Sequence, residues 1–586
     1  MTQIGMLGRS LCGLGLVVGL SGAAQAASPA AEFTVGSPAV AVADPAVPRP
    51  SEKACTVELF NDVSFDDFGT RPYSYAPPTG CGTHWKKVVL EADFSVTAGR
   101  QFDRTATLWL DGVNLYFGTT QEPSATVSPQ WHVERDLTDY SALLRQAGQG
   151  QAIIGNLVNG TYTGVIHGSA RLVFYPGGGQ TDAPDAVYAL GADPVGNTTV
   201  LNAGSDRLAK TFTLPRNVER AYLDVFTQSQ GGDEFWYTCV PDAYAAQTFE
   251  CGGGNFREAE VSIDGQPAGV APVMPWIYTG GIDPYLWRPT PGVQTLNFMP
   301  YRVDLTPFAG LLSDGAPHEV ALSVAGAHGY FSATAALLVY RDPQAAQVSG
   351  RIVRNTLAGQ PPTPTIGSTL ATDADGNLSG DVTTQLTRQF TIEGYADTSR
   401  GRVRSTVTQT IGFDDTQSFL INASTYDQHT VQLTRVDSLS TRQRGPLAEI
   451  YEQHVRYPLD LDYRQLAAAD GSLGAAATVR QGQELSTTRS LAGVPLYATR
   501  LSNQVEAADT LQFSAAGAFI GHTGQRNTQA YRFDDTLGSC YQASVSSVGG
   551  LLSAYTQGQG CPGGSNHLGW FSRPDGAPDS RGQAPF

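Results

Sequence analysis

One long stretch of this chain occurs twice, and that repeat limits what the chain can fold into. The first copy runs Phe102-Asp103-Arg104, then Ala106-Thr107-Leu108-Trp109-Leu110-Asp111-Gly112. It continues through Val133-Glu134-Arg135-Asp136-Leu137-Thr138 and Leu143-Leu144, and closes on Ala170-Arg171-Leu172-Val173-Phe174-Tyr175. The second runs Phe256-Arg257-Glu258, then Ala259-Glu260-Val261-Ser262-Ile263-Asp264-Gly265. Tyr301-Arg302-Val303-Asp304-Leu305-Thr306, Leu311-Leu312 and Ala335-Ala336-Leu337-Leu338-Val339-Tyr340 follow. Each copy orders a strand, an Asp-Gly hairpin turn, a second strand, a D-L-T turn, one helical turn and two closing strands. A unit this long is a domain and not a solenoid module. The fold class expected is all-β: two tandem jelly-roll β-sandwiches plus a C-terminal β-rich domain.

The rest of the chain fits around the repeat. Arg9 and the apolar run Leu11–Leu20 precede Ala24-Gln25-Ala26, so residues 1–26 read as a signal peptide. Residues 27–53, rich in Ala, Pro and Val, read as a mobile linker. The two sandwiches are expected at 54–180 and 181–343. Gln360-Pro361-Pro362-Thr363-Pro364 and the Thr/Gln/Arg-rich alternation after it mark the third region, 344–586. Export implies a periplasmic or secreted protein, read here as a monomer with no membrane span. After Cys12 leaves with the signal, six cysteines remain: Cys55, Cys81, Cys239, Cys251, Cys540 and Cys561. Neighbours pair most simply as 55–81, 239–251 and 540–561, although other connectivities are open. A net charge of −17 disfavours nucleic acid as a partner.

The chemistry left after elimination is that of carboxylates. G-x-S-x-G, H-E-x-x-H and G-x-x-x-x-G-K-[ST] are all missing, so serine-elbow, zinc-protease and P-loop chemistry have no support. Solitary histidines such as His84 and His167 read as structural, and no cofactor or metal is expected. Asp373-Ala374-Asp375-Gly376-Asn377 opens like a calcium loop but lacks the closing Glu, and reads as a hairpin turn. Acids do cluster with aromatics in Gly-rich loops: Asp103 between Phe102 and Arg104, Gly231-Gly232-Asp233-Glu234-Phe235-Trp236-Tyr237, and Gly280-Gly281-Ile282-Asp283-Pro284-Tyr285-Leu286-Trp287-Arg288-Pro289. Sugars bind to such loops, with ring faces on aromatics and hydroxyls on charged groups.

Several segments together resemble the peptide-N-glycosidase A family. They are Cys55-Thr56-Val57-Glu58-Leu59-Phe60, Gly99-Arg100-Gln101-Phe102-Asp103-Arg104, Thr119-Thr120-Gln121-Glu122-Pro123, Thr161-Tyr162-Thr163-Gly164, Asp233-Glu234-Phe235-Trp236-Tyr237, Phe256-Arg257-Glu258, Thr279-Gly280-Gly281-Ile282-Asp283-Pro284 and Leu286-Trp287-Arg288-Pro289. A fainter similarity is to flavobacterial peptide:N-glycosidase F, whose catalytic Asp lies in an aromatic-Asp-Arg entry to a strand. The resemblance implies an amidase that cuts between Asn and the innermost GlcNAc of N-glycans on peptides and glycoproteins, with an acidic optimum. It makes Asp103 the base. Glu234 is expected as proton donor, with Glu122 second, and Arg104 or Arg288 as the group orienting Asp103. Trp236 and Trp287 are expected to stack on sugars, with Glu258 among the substrate contacts. A glycan-binding protein without catalysis and a glycoside hydrolase remain as alternatives.

Overall fold

The computed structural model describes residues 33–177 and 183–579; the expected signal peptide and the expected boundary at 180/181 lie outside them. The first sandwich consists of β1 (Cys55–Phe65), β2 (Arg71–Tyr75), β3 (Trp85–Val96), β4 (Thr105–Leu110), β5 (Val113–Thr119), β6 (Gln130–Asp136), β7 (Gly148–Ile154) and β8 (Ile166–Pro176). The sheet β1-β8-β3-β6 faces the sheet β2-β7-β4-β5, which is the jelly-roll order. Alternating side chains from both sheets, among them Phe65, Trp85, Leu90, Leu108, Leu115 and Phe174, close the core between them. Asp111 and Gly112 both take positive φ, +46° and +82°, as a two-residue turn matching the twist of β4 and β5 requires.

The second sandwich repeats this order. Its strands are β9 (Ala186–Ala189), β10 (Thr199–Leu201), β11 (Leu208–Thr213), β12 (Val218–Gln230), β13 (Glu258–Ile263), β14 (Gln266–Pro272), β15 (Tyr301–Asp304), β16 (Pro317–Ala325) and β17 (Tyr330–Arg341). One sheet runs β10-β17-β12-β15, with β9 also on β17; the other runs β11-β16-β13-β14. Asp264 and Gly265 turn the β13–β14 hairpin at φ +51° and +74°. The helical turns expected in the two copies are α1 (Ser141–Leu144) and, further along, α3 (Ala309–Leu312). A helix that the pattern did not signal, α2 (Asp242–Thr248), lies in the loop stapled by Cys239–Cys251. The other disulfides are Cys55–Cys81 and Cys540–Cys561.

The third region is one large antiparallel meander. After β18 (Ser349–Asn355), β19 (Thr365–Ser368) and β20 (Ala371–Thr372) come β21 (Leu378–Thr398), β22 (Gly401–Ile421), β23 (Thr425–Arg444), β24 (Leu447–Ala467), β25 (Leu473–Leu491), β26 (Val494–Phe513) and β27 (Phe519–Asp535). β28 (Cys540–Val548) and β29 (Leu551–Gln557) complete it. Its strands alternate buried and exposed positions, and the buried face lies against the second sandwich: Phe413 meets Phe256 at 5.3 Å. Many buried residues on that face are amides. Gln417 donates to Cys239 O (2.9 Å), Gln428 to Thr238 O (2.9 Å) and Gln481 to Pro275 O (2.7 Å). Irregular loops leave carbonyls without ladder partners, and buried carbonyls need donors. This accounts for the Gln-rich alternation of the sequence. Asp373–Asn377 is a hairpin turn, closed by the Asp373 carboxylate on the N–H groups of Asp375 and Asn377.

From residue 33 on, the stretch read as a mobile linker is packed. Ala41, Ala43 and Val47 are buried. Ala43 N–H donates to Gln529 Oε1 at 2.6 Å, and Val47 N–H to Glu134 Oε2 at 2.7 Å. Small alternating apolar side chains let this extended strap lie in the groove between the first sandwich and the last strands of the meander. Composition alone reads the same residues as a spacer. Among the described residues, no helix is long and apolar enough to cross a membrane.

Candidate active site

The site forms where the open end of the β4–β5 hairpin meets two loops of the second sandwich. Thr105 and Thr119 make the last rung of the hairpin. Beyond it, Thr120 N–H donates to Arg104 O and Arg104 N–H to Thr120 Oγ1, both at 2.9 Å. Asp103 and Glu122 therefore emerge side by side, with Glu122 Oε1 3.4 Å from the Asp103 amide. The long loop between β14 and β15 closes on them. Thr279 Oγ1 donates to Thr120 O (2.7 Å), which sets Gly280 N–H on Asp103 Oδ2 at 3.0 Å. A Cβ at residue 280 would stand 2.5 Å from Glu122 Oε1 and 3.0 Å from Asp103 Oδ1. Only glycine brings a backbone N–H this close to two carboxylates. From the same loop, Arg288 Nη2 donates to Glu122 Oε2 at 3.0 Å.

Glu234 arrives from the turn after β12. Its neighbour Asp233 is fully buried and fixes the turn: Oδ1 takes Arg257 Nη2 at 2.6 Å, and Oδ2 takes the N–H groups of His328 (2.9 Å) and Gly329 (2.6 Å). Glu234 itself is half-buried, and among the described residues no donor reaches its carboxyl. Burial first, then the charge of Asp103, push Glu234 up to about 7. The same two causes push Glu122 up to about 7, against the pull of Arg288. Burial also raises Asp103, but the Gly280 N–H and Arg104 pull it back. All three carboxyls are thus raised, and Asp103 is the one on which the Gly280 N–H and Arg104 pull the other way, an arrangement that suits a general base beside general acids.

Several sequence expectations need correction here. Trp236 and Trp287 are both fully buried, so neither offers a ring face to a ligand. Trp236 fills the core beside Tyr237, and Trp287 Nε1 donates to Gly281 O at 2.9 Å, bracing the loop from inside. Glu258 is also buried, in an ion pair with Arg388 of β21, and touches no cleft. Arg288 orients Glu122 instead of Asp103, and Arg104 Nη2 is engaged by Gln101 Oε1 at 2.7 Å. The group that does hold Asp103 is a backbone N–H, which no side-chain pattern announces, although the Gly-Gly pair of the loop marks the place.

The exposed aromatic beside the acids is Phe102. Its ring is 43% exposed and lies 5.3 Å from that of Tyr162, with the Arg100 guanidinium 5.4 Å from the Tyr162 ring. On the other side, Gln230 Nε2 donates to Thr105 Oγ1 at 2.7 Å, and the Tyr330 hydroxyl donates to Gln230 Oε1. An aromatic pair and a polar row thus adjoin the elements that carry the three carboxyls.

Two jelly rolls that bring carboxyls together where their loops meet define a class of all-β proteins. Within that class the chain has a family. Residues 45–357 match the model described as peptide N-acetyl-beta-D-glucosaminyl asparaginase amidase A, and the chain belongs to that family. It is 31% identical over 378 residues to the peptide-N4-(N-acetyl-beta-glucosaminyl)asparagine amidase A of Prunus dulcis, a match spanning 60% of this chain and 65% of the almond protein. Among solved structures, it is similar to PNGase F, a glycosylasparaginase from Flavobacterium meningosepticum, at 15% identity over 50% of this chain and 96% of that one, with a TM-score of 0.34. It is also similar to PNGF-II at 13% identity over 50% and 66%, with a TM-score of 0.36.

Proposed function

We propose that the protein is an amidase that hydrolyses the bond between the Asn side chain and the innermost GlcNAc of N-linked glycans. Membership of the family supports this reading, and so does one observation above the rest: an Asp that accepts a backbone N–H, beside two carboxyls pushed up to about 7. In this reading Asp103 takes a proton from a water molecule as that water attacks the Asn side-chain carbonyl. Glu234, free of protein donors, gives its proton to the glycosyl nitrogen as the C–N bond breaks. The peptide keeps an Asp, and the glycosylamine leaves and then loses ammonia. Glu122, tied to Arg288, flanks the reacting amide and is the second choice as donor. Phe102 and Tyr162 take the stacking role expected of the tryptophans.

The finer parts of the proposal are an acidic optimum and a periplasmic or secreted location. The donor must hold its proton, so the rate falls as pH rises past about 7. On the acid side it falls as Asp103 is protonated, and the apparent values belong to the cluster as a whole. The test is the mass of the peptide after incubation with a glycopeptide across this pH range. Conversion of Asn to Asp is the expected outcome. A GlcNAc left on Asn would mean a glycosidase, and unaltered glycopeptide with measurable affinity would mean a binding protein.

A further inference from the structure

The loop that brings Gly280 and Arg288 to the acids is fastened on its far side by the meander, and one of the fastenings involves two acids. From β27, Asn527 Nδ2 donates to Leu286 O and Thr290 O, both at 2.8 Å, and Gln525 Nε2 donates to Arg288 O at 2.9 Å. Amides carry the same charge at every pH. A fastening made by carboxyls does not. Asp283 is buried in the loop, its Oδ1 taken by the Tyr285 N–H at 2.8 Å. Within hydrogen-bonding reach is the carboxyl of Asp509 on β26, itself without exposed side-chain surface. Asp509 Oδ1 lies 3.0 Å from His522 Nδ1 of β27. The Oδ2 atoms of both acids are buried, and among the described residues no donor reaches either one.

Ionised carboxylates only accept hydrogen bonds, so two of them cannot face each other in a dry joint. A single proton between them satisfies both orphaned oxygens. The joint is sealed by Tyr285, whose ring stacks on His522 at 3.7 Å and lies 5.1 Å from the Arg288 guanidinium. The charged and titratable groups around the pair are Arg288 and Tyr285 from the loop and His522 from the meander.

We propose that Asp283 and Asp509 share one proton, and that this proton docks the active-site loop on the meander, making Asp509 a positioning residue for the acids around Asp103. Burial, and after it the Asp509 charge, push Asp283 up to about 7. An undocked loop returns Asp283 to the ordinary range near 3.8. Docking is therefore tightest below that ordinary value, weakens as pH rises through the interval, and is lost above about 7. The positioning role rests on the reading of the Asp103 cluster as an active site; the docking itself does not.

The experiment is hydrogen exchange on the full-length protein, followed in peptides spanning residues 279–290 and corrected for base catalysis. Wild type should lose protection there by at least about tenfold between about pH 5 and about pH 8. Asp509→Asn places a permanent N–H donor opposite Asp283, so its protection should stay high and flat. Asp509→Ala should be loose throughout. Equal protection of the wild-type loop at both pH values, or an unchanged pH loss in Asp509→Asn, would overturn the proposal. In glycopeptide turnover, Asp509→Asn should retain more of its kcat at about pH 8 than wild type does, with KM little altered. A matching kcat profile in the two proteins would overturn the positioning role. A wild type with pH-dependent protection and no amidase activity would support the shared proton and count against the amidase reading alone.

Discussion

The two sandwiches use one position in opposite ways. Asp103-Arg104-Thr105 and Phe256-Arg257-Glu258 occupy the same place, at the entry to β4 and to β13. In the first sandwich this entry faces the cleft, Phe102 stays exposed and Asp103 meets the ligand side. In the second the meander covers it. Phe256 packs on Phe413, and Glu258 is buried against Arg388. Arg257, at the place of Arg104, holds Asp233 and so steadies the turn that presents Glu234. One strand entry presents a carboxylate, and the other braces one. What decides the role of each copy is whether the third sheet covers it.

This contrast can be broken most sharply at the two carboxylates. Asp103→Asn should lower kcat in glycopeptide turnover by about a thousandfold or more with the thermal midpoint preserved, whereas Glu258→Gln should leave kcat within about threefold. Comparable losses from both would show that the copies are not divided as described. Next comes the donor. Glu234→Gln should cost about 10²–10⁴ in kcat and remove the alkaline limb, since its raised value keeps the acid protonated up to about 7. A larger loss in Glu122→Gln, measured over the same pH series, would transfer the role to Glu122.

Stability sharpens the comparison from the covered side. Arg388→Met leaves Glu258 buried and unpaired, at a cost of about 3–5 kcal/mol, and the added change Glu258→Met should return most of it. Denaturant midpoints of the single and double variants measure this directly. The smallest effect concerns the ring that stayed open. Phe102→Ala should raise KM about fivefold, as loss of roughly 1 kcal/mol of stacking implies, with kcat little altered. The same change at Phe256, judged by KM, should do nothing of the kind.

Legibility in the sequence followed the range of the interactions. Hairpin turns at Asp111-Gly112 and Asp264-Gly265 and the stapled cysteines depend on near neighbours, and the pattern of residues announces them. Asp103 stands out in the sequence because the resemblance rests on a local run, an acid at a strand entry between an aromatic and an Arg. The tryptophans misled because a Trp in a Gly-rich loop has the same signature whether it faces a sugar or a core. Glu258 misled because its partner, Arg388, lies 130 residues further on. The grip of Gly280 on Asp103 spans 177 residues and uses a backbone atom, so residue types say nothing of it.

The strap of residues 33–50 has a consequence for how the molecule comes together. Its Ala43 amide is held by Gln529, 486 positions later, and its Ala43 carbonyl by the hydroxyl of Tyr541. The earliest described residues of the chain therefore have nowhere to settle until β27 and β28 exist. The strap is thus tied into the fold through contacts between residues far apart in the chain. Contacts at such separation are slow to form, and until they do the groove stays open as a sticky seam on an otherwise finished surface.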